Sequence, residues 1–495
     1  MLKLDNLPLC GRQDELATLE RIFQRGVDAT NVVVVYGKSG SGKSSLVRVQ
    51  QDHWTTTERA LVVLGKFERE QSSGPLSAIA SALNELVKKW SDCEGGDAEI
   101  ESFVSNGKSK DLHLLQKFLP CLFEAAGRLL ESNDLMTSKT TNLRLSGTSM
   151  RNSSSARIAS SAKACDDLEH SRDGTERLKR ALRRMLTAIC CKPRRLVLFL
   201  DDIHWADSES LDILMFLAHA NEIPGLLILV SYRDDEPSKD ELVAEQVKAL
   251  ESKCPTHKIH LSELSVTGVN ELISTIIRRD ANDTLPLSEI VHEKTGGNPF
   301  AVVKCLEMLY TNALLKYSLA TFKWEWVSLS TISSEVALSN DVANVVTSNM
   351  KRLPIETQQV LMVASCLATS IPIHVVTEFF KQQSASEVPG EEDGFSFLSM
   401  DEQHLISVLD SCVDASILVA SEASSTIYKW SHDKVQEGAY ALIPINHRTS
   451  VHLRLGKVVA KMIPAHPENE WLVLRRISWA KVYPSNQKVR FSGCS

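Results

Sequence analysis

The sequence predicts an α/β fold with a parallel sheet covered by helices on both faces, followed by a helical lid and a winged-helix-like α/β region. Three observations lead to this prediction. Short apolar, β-branched runs alternate with helical patterns as far as residue 265. Strand signals then become rare, and a helix-rich stretch further along ends in a hairpin-like pair. Strands that alternate with helices of this length are typical of a parallel sheet.

The predicted core spans residues 8–265. Five runs have the length and composition of buried parallel strands: Val32–Tyr36, Ala60–Phe67, Leu196–Asp201, Leu226–Tyr232 and Lys258–Leu264. Helical patterns follow most of them, at Lys43–His53, Pro75–Trp90, Ser208–Ala220 and Lys239–Glu251.

Residues 132–174 interrupt this alternation, because they are rich in Ser, Thr, Arg and Asn and poor in large apolar residues. Such a segment cannot bury enough apolar surface to offset the entropy of ordering it. We therefore predict a disordered insertion between the second and third strands. A tolerated loop is one interpretation, and a site for phosphorylation or partner binding is the other.

The second half of the chain is predicted to be mainly helical. The lid, 266–315, contains helices at Thr267–Arg279, Leu287–Gly296 and Asn298–Tyr310. An aromatic-rich connector, 316–340, follows, with Phe322, Trp324 and Trp326.

A winged-helix-like region is predicted for residues 341–465, and residues 466–495 have no clear pattern. The helices are predicted at Asp341–Leu353, Thr357–Ala368, Asp401–Val413 and His432–Leu442. A hairpin-like pair precedes the last of them, at Ile417–Ser421 and Thr426–Trp430.

Composition excludes some classes of function. The net charge of −7 argues against a protein that binds nucleic acid by bulk electrostatics. The eleven cysteines form no CxxC pairs, which favours a reduced, intracellular and cytoplasmic chain. Its start has no apolar signal core, and its apolar runs are too short to cross a bilayer.

The clearest motif fits the pattern GxxxxGK[ST], directly after the first predicted strand and before a helix. It consists of Gly37, Lys38, Ser39, Gly40, Ser41, Gly42, Lys43 and Ser44, with Ser45 next in the helix. Its glycines allow backbone N–H groups to point inward at phosphate oxygens. Lys43 is expected to contact the β- and γ-phosphates of a nucleotide, and the hydroxyl of Ser44 to bind Mg²⁺. These residues predict a P-loop NTPase.

A second motif is the apolar strand that ends in Asp201 and Asp202. In a P-loop fold, Asp201 is expected to bind Mg²⁺ through water, and Asp202 to orient the attacking water. The Leu226–Tyr232 strand ends at Arg233, which we expect to contact the γ-phosphate; a charged turn is the alternative interpretation.

Five elements in one order resemble a known family. They are the segment 9–16 with Gly11 and Arg12, the P-loop, the Asp-Asp strand, the segment 231–236, and 296–300 with Pro299. Together they resemble the origin-recognition-complex-like AAA ATPase domain of STAND-class P-loop NTPases. The resemblance implies ATP rather than GTP. It also implies that Gly11 and Arg12 lie in the nucleotide pocket and Pro299 near the nucleotide.

Segments 65–78 and 430–440 are most similar to the ATPase module of hybrid serine/threonine–histidine signalling kinases. The resemblance covers 8–460 without the insertion. It implies partners in a signalling pathway, including kinase or sensor domains, and nucleotide-dependent homo-oligomers. It places His432 where related switch proteins contact the nucleotide, although a helix cap is an equal alternative. No kinase motif precedes the module, so we expect either a piece of a longer protein or a stand-alone relative.

The favoured hypothesis is therefore a regulatory ATPase switch with ATP and Mg²⁺ as cofactors and low turnover. A DNA-binding initiator-type AAA ATPase is one alternative. An ATP-binding scaffold that does not hydrolyse ATP is another, because Asp202 stands where many AAA ATPases have Glu.

Overall fold

The computed structural model describes most of the chain outside several segments. The described residues are 7–26, 29–67, 75–106, 109–125, 172–190, 194–219, 223–234, 245, 248, 250, 256–335, 346–347, 349–367, 370–383, 397–420 and 427–462. They divide into two compact units. The first consists of Met1–Val303 with Ala313–Ser333, and the second of Lys304–Asn312 with Ser334–Ser495.

The first unit contains a five-stranded parallel sheet, as predicted. Its strands pair in the order β2-β3-β4-β1-β5. Their bounds are β1 Asn31–Tyr36, β2 Leu61–Lys66, β3 Leu196–Asp201, β4 Leu226–Tyr232 and β5 Thr256–His260. The predicted end of the last strand, Leu264, is wrong. After Leu261 donates its N–H to the Tyr36 carbonyl (2.8 Å), the chain leaves the sheet, and Leu264 donates to the Gly297 carbonyl instead (2.9 Å).

Helices flank the sheet strands. Their bounds are α1 Gln13–Arg25, α2 Lys43–Thr56, α3 Ser77–Ser91, α4 Gly96–Ser105, α5 Ser109–Phe118, α6 Arg172–Ile189 and α7 Ser208–His219. Of these, α2, α3 and α7 agree with the sequence predictions, and the others had not been predicted. Most of the predicted helix 239–251 lies outside the described residues. So does the predicted disordered insertion, except that its last residues, 172–174, begin α6 instead.

Side chains on the two faces of the sheet belong to two separate cores. Val32 and Val34 of β1 pack in one core, together with residues of α3 to α7. Val33 and Val35 pack in the other, together with residues of α1 and α2. Every residue of β3 is buried, as expected for a strand covered on both faces.

The next helices in chain order are α8 Val266–Ile277, α9 Ala281–Thr295, α10 Pro299–Thr311 and α11 Leu329–Glu335. The helix predicted from Leu287 begins six residues earlier, because Asp280 caps it by accepting the Asn282 N–H (2.8 Å).

The predicted connector 316–340 proves to contain a β-hairpin, β6 Leu315–Ser318 with β7 Lys323–Trp326. The physical reason is cross-strand packing. Tyr317 lies edge-on to Trp324 (5.6 Å), and the Arg279 guanidinium lies over the Trp326 ring (4.9 Å).

The second unit combines helices with a three-stranded antiparallel sheet. The helices are α12 Ile355–Ser365, α13 Ile373–Gln383, α14 Glu402–Asp414, α15 Asp433–Ala441 and α16 Arg448–Met462. The strands are β8 Ser370–Pro372, β9 Leu418–Ala420 and β10 Ile427–Trp430, in the order β8-β10-β9.

The predicted hairpin is present as β9 and β10, whereas β8, α13 and α16 had not been predicted. His432 caps α15 by accepting the Lys434 N–H (3.0 Å). Six of the thirteen residues of the predicted helix 341–353, namely 341–345 and 348, lie outside the described residues, and so does the whole tail 466–495. The winged-helix classification and the domain boundaries stay predictions. No helix in the described parts of the chain is long and apolar enough to cross a membrane.

Replacing Trp54 tests how firmly α2 is held to the sheet. Its ring is fully buried, stacks on Phe23 (4.7 Å) and donates from Nε1 to Glu20 (2.8 Å). We expect Trp54→Ala to lower the free energy of unfolding by about 3–5 kcal/mol. Val49→Ala, on an exposed part of the same helix, is the control and should change it by less than about 0.5 kcal/mol. Chemical denaturation followed by circular dichroism measures both. Equal effects would contradict this account.

Candidate nucleotide-binding site

The phosphate loop lies between β1 and α2, as predicted. Gly37, Gly40 and Gly42 all have positive φ, at 154°, 79° and 95°. At Gly37 a side chain would also collide with the carbonyl oxygen of Leu261. The loop therefore needs glycine at these positions, because other residues rarely adopt such a backbone.

Lys43 begins α2, and its side chain lies inside the loop, with 7% of the residue exposed. Its Nζ donates to the carbonyl oxygens of Gly37 (2.7 Å) and Lys38 (2.9 Å). The hydroxyl of Ser41 is buried in the same loop with no hydrogen-bond partner among the described residues. A buried ammonium and an unsatisfied hydroxyl at one place suit a phosphate ligand.

A chain of hydrogen bonds joins the loop to β3 and β4. The Ser44 hydroxyl donates to Asp201 Oδ2 (2.7 Å), and the Ser231 hydroxyl donates to Asp201 Oδ1. Ser231 also accepts the backbone N–H of Asp202 (2.9 Å) and is fully buried. Ser231 was not among the predicted site residues. The signal available was a small polar residue within the otherwise apolar run of β4.

Asp202 follows β3 in a left-handed backbone conformation (φ 59°, ψ 49°) and is 4% exposed. Its carboxylate lies 3.4 Å from Arg233 Nε and 3.9 Å from Lys66 Nζ. The structure thus brings together the two predicted residues, Asp202 and Arg233. It adds Lys66, which ends β2 and pairs in register with Asp201.

The Arg12 side chain supports the phosphate loop by donating to a backbone carbonyl of the loop. The buried guanidinium donates to the carbonyl oxygens of Ser41 (3.5 Å) and Ser262, and pairs with Glu15 (3.0 Å). Gly11 precedes it with φ at 64° and donates its N–H to a carboxylate of α8 (3.1 Å). Both residues lie where they can hold the chain around the loop.

The start of α10 also contacts the loop. Pro299 is the first residue of that helix, which was predicted to begin one residue earlier, at Asn298. Asn298 donates from Nδ2 to the Ser39 carbonyl (2.9 Å), and Phe300 donates its N–H to the Gly40 carbonyl (3.3 Å). Pro299 was predicted as a site residue, whereas its two neighbours make these contacts.

Other predicted residues lie at the rim of the loop. The Lys38 side chain is 62% exposed and pairs with Glu263, and this ammonium lowers the pKa of that carboxyl. Ser45 is exposed on α2.

Burial and the charge of Glu271 raise the pKa of the nearby Cys10 thiol to about 11, so this thiol stays protonated.

The donor set fits Mg²⁺ as well as phosphate. The Ser44 hydroxyl and the Asp201 carboxylate offer hard oxygen ligands, which Mg²⁺ prefers. They are hydrogen-bonded to each other, so both lie at one place beside the loop.

The strand order, the glycine loop and the adjoining acidic strand define a P-loop NTPase core. Residues 8–230 match the family model described as an AAA ATPase domain. This part of the chain is therefore similar to AAA ATPase domains.

The chain is also similar in sequence to a much longer protein. It is 21% identical over 529 residues to the hybrid signal transduction histidine kinase G of Dictyostelium discoideum, covering 90% of this chain. The chain spans only 14% of that protein's length.

Among solved structures, it is similar to a STAND protein with a tetratricopeptide repeat sensor from Pyrococcus horikoshii, at 14% identity and a TM-score of 0.42. That match covers 96% of this chain and 50% of the other. It is also similar to the Aeropyrum pernix ORC2 protein, at 13% identity and a TM-score of 0.37. That match covers 89% of this chain and 96% of the other.

Ser231→Ala tests the hydrogen bonds that hold the two acidic residues. It removes a donor to Asp201 and leaves the buried N–H of Asp202 without its acceptor. We expect the free energy of unfolding to fall by about 1–3 kcal/mol. The control Ser45→Ala alters an exposed hydroxyl and should change it by less than about 0.5 kcal/mol. Urea denaturation measures both variants. A change at Ser231 no larger than the control would show that these bonds contribute little.

Proposed function

We propose that this chain is a regulatory ATPase switch, which binds ATP with Mg²⁺, hydrolyses it slowly and passes the change to partner domains. The main support is the hydrogen bond from the Ser44 hydroxyl to Asp201 (2.7 Å). It joins the phosphate loop to the acidic strand, so that groups for the phosphates, the metal and the attacking water lie together.

In this proposal the backbone of residues 37–42 and the Lys43 ammonium bind the phosphates. Ser44 and Asp201 hold Mg²⁺, Asp201 through water. Bound Mg²⁺ neutralises charge on the phosphate oxygens. Gly11 and Arg12 belong to the adenine end of the site, which is why we propose ATP as the nucleotide.

Asp202 is the proposed residue for orienting the attacking water, and Arg233 for contacting the γ-phosphate. In the structure Arg233 and Lys66 both lie within 4 Å of the Asp202 carboxylate. A carboxylate held by two cations is less available to a water molecule. This arrangement supports slow turnover, and a γ-phosphate that attracted Arg233 would release Asp202 for its role.

The switching part of the proposal concerns the lid, 266–315, and a winged helix, 341–465. Contacts of Asn298 and Phe300 with the loop support a lid that responds to the state of the nucleotide. The similarity to a hybrid signal transduction histidine kinase supports a signalling role with kinase domains as partners. Sensor domains as partners and nucleotide-dependent self-association are further parts of this proposal. The acidic chain does not favour DNA as the ligand.

Nucleotide binding is the first part of the proposal to test. Lys43→Ala removes the buried ammonium, so we expect the dissociation constant for MgATP to rise more than tenfold. Arg48→Ala removes an exposed cation from the same helix and should change it less than threefold. Isothermal titration calorimetry measures both. Equal binding by Lys43→Ala and wild type, or no binding by either, would refute the proposed site.

Hydrolysis is tested separately with Asp202→Ala. We expect turnover of ATP to fall about a hundredfold or more, with MgATP affinity changed less than threefold. Asp52→Ala, an exposed acid on α2, should retain wild-type turnover. Single-turnover phosphate release gives the rates, with Asp201→Asn as a probe of metal binding. Tight ATP binding without turnover in the wild type would favour a scaffold that does not hydrolyse ATP.

A further inference from the structure

One side chain, that of Asn298, makes hydrogen bonds to both the phosphate loop and the lid helix α10. Its Nδ2 donates to the Ser39 carbonyl (2.9 Å), and its Oδ1 accepts the N–H of Ala301 (3.2 Å). The second bond is an N-cap for α10. Asn298 is 7% exposed, so both bonds are shielded from water.

A second hydrogen bond runs in parallel. The N–H of Phe300 donates to the Gly40 carbonyl (3.3 Å). The two segments also touch directly, because a Cβ added at Gly40 would lie 2.8 Å from Asn298 Oδ1 and 2.9 Å from Phe300 Cβ. A glycine at 40 therefore lets the lid approach the loop backbone.

The residue before Asn298 holds this contact in place. Gly297 has φ at 74°, and its carbonyl accepts the N–H of Leu264 (2.9 Å). A side chain at Gly297 would collide with the Leu264 carbonyl oxygen. The start of α10 is thus tied to the chain that follows β5 as well as to the loop.

These contacts determine how the loop presents its N–H groups. In a planar trans peptide the C=O and the N–H point in opposite directions. Holding the carbonyls of Ser39 and Gly40 therefore sets the planes that carry the N–H groups of Gly40 and Ser41. Of these two groups, the N–H of Ser41 donates to the Lys38 carbonyl within the loop (3.2 Å). Loops of this kind bind phosphate through such N–H groups.

We propose that Asn298 is a positioning residue that orders the phosphate loop for nucleotide and makes nucleotide affinity depend on the position of the lid. This inference rests on the proposed function, because it concerns the same site. It adds a route of regulation: a displacement of α10 loosens the loop, and a nucleotide that orders the loop favours the docked lid.

The variants Asn298→Ser and Asn298→Ala separate the two roles of the side chain. Serine keeps a good N-cap acceptor for α10 and lacks the amide that reaches Ser39. Alanine loses both bonds. Asn282→Ala, an exposed asparagine of α9, is the matched control. Serine and alanine are both neutral, so neither variant adds charge beside the phosphates.

Two measurements are made on the whole chain. Hydrogen exchange of the peptide spanning residues 37–44 is followed without nucleotide, and the MgATP dissociation constant is measured by titration calorimetry. We expect Asn298→Ser and Asn298→Ala alike to speed exchange in this peptide. Both should weaken MgATP binding by about three- to tenfold, as for the loss of one buried hydrogen bond. Asn282→Ala should match wild type in both measurements.

Different outcomes would overturn different statements. If Asn298→Ser behaves like wild type and only Asn298→Ala is impaired, Asn298 merely caps the helix and the inference is wrong. Tighter MgATP binding by Asn298→Ser would also overturn it. If wild type fails to bind MgATP, the proposed function is refuted. Hydrogen exchange in the nucleotide-free protein then still tests the loop contact by itself.

Discussion

The Ser44–Asp201 hydrogen bond connects the first turn of α2 with the end of β3, across the width of β4. The site depends on this bond because the loop and the acidic strand are not neighbours in the sheet. Only the parallel order of the strands, with their carboxyl ends at one edge, brings the two motifs within hydrogen-bonding distance. The two apolar cores on opposite faces hold the strands in that order.

Buried polar groups need partners, and this requirement explains much of the site around that bond. Ser231 satisfies both the Asp201 carboxylate and the backbone N–H of Asp202. Arg233 and Lys66 balance the charge of Asp202, whose left-handed backbone conformation Asp adopts more readily than most residues other than glycine. The site is therefore an arrangement of mutually dependent groups rather than a set of separate residues. A bound phosphate would compete for some of these same partners.

A second feature of the structure is that residues outside the phosphate loop hold the backbone of the loop. Arg12 and Asn298 hold loop carbonyls from two different segments, one directly before α1 and one at the start of α10. The loop glycines have no side chains with which to hold their own backbone, so neighbouring segments supply the hydrogen bonds. This explains why elements more than 250 residues apart in sequence belong to one site.

Local sequence patterns were enough to predict the strands of the parallel sheet apart from the bounds of β5, the phosphate loop and the two acidic residues. A buried strand has a continuous apolar run, a phosphate loop needs glycines at set spacings, and helix starts such as Asp401 carry capping residues. The bounds of β3 and β4 and the start of α2 at Lys43 agree with the sequence prediction.

The remaining features depend on tertiary contacts, because partners distant in sequence leave no local pattern. In the folded chain β5 ends at His260, the predicted connector forms a hairpin around Trp324 and Trp326, and Asp202 pairs with Lys66 and Arg233. Asn298, rather than its neighbour Pro299, makes the hydrogen bond to the loop. Hydrogen bonds and ring contacts between remote residues exist only once the chain has folded, so sequence spacing alone cannot reveal them.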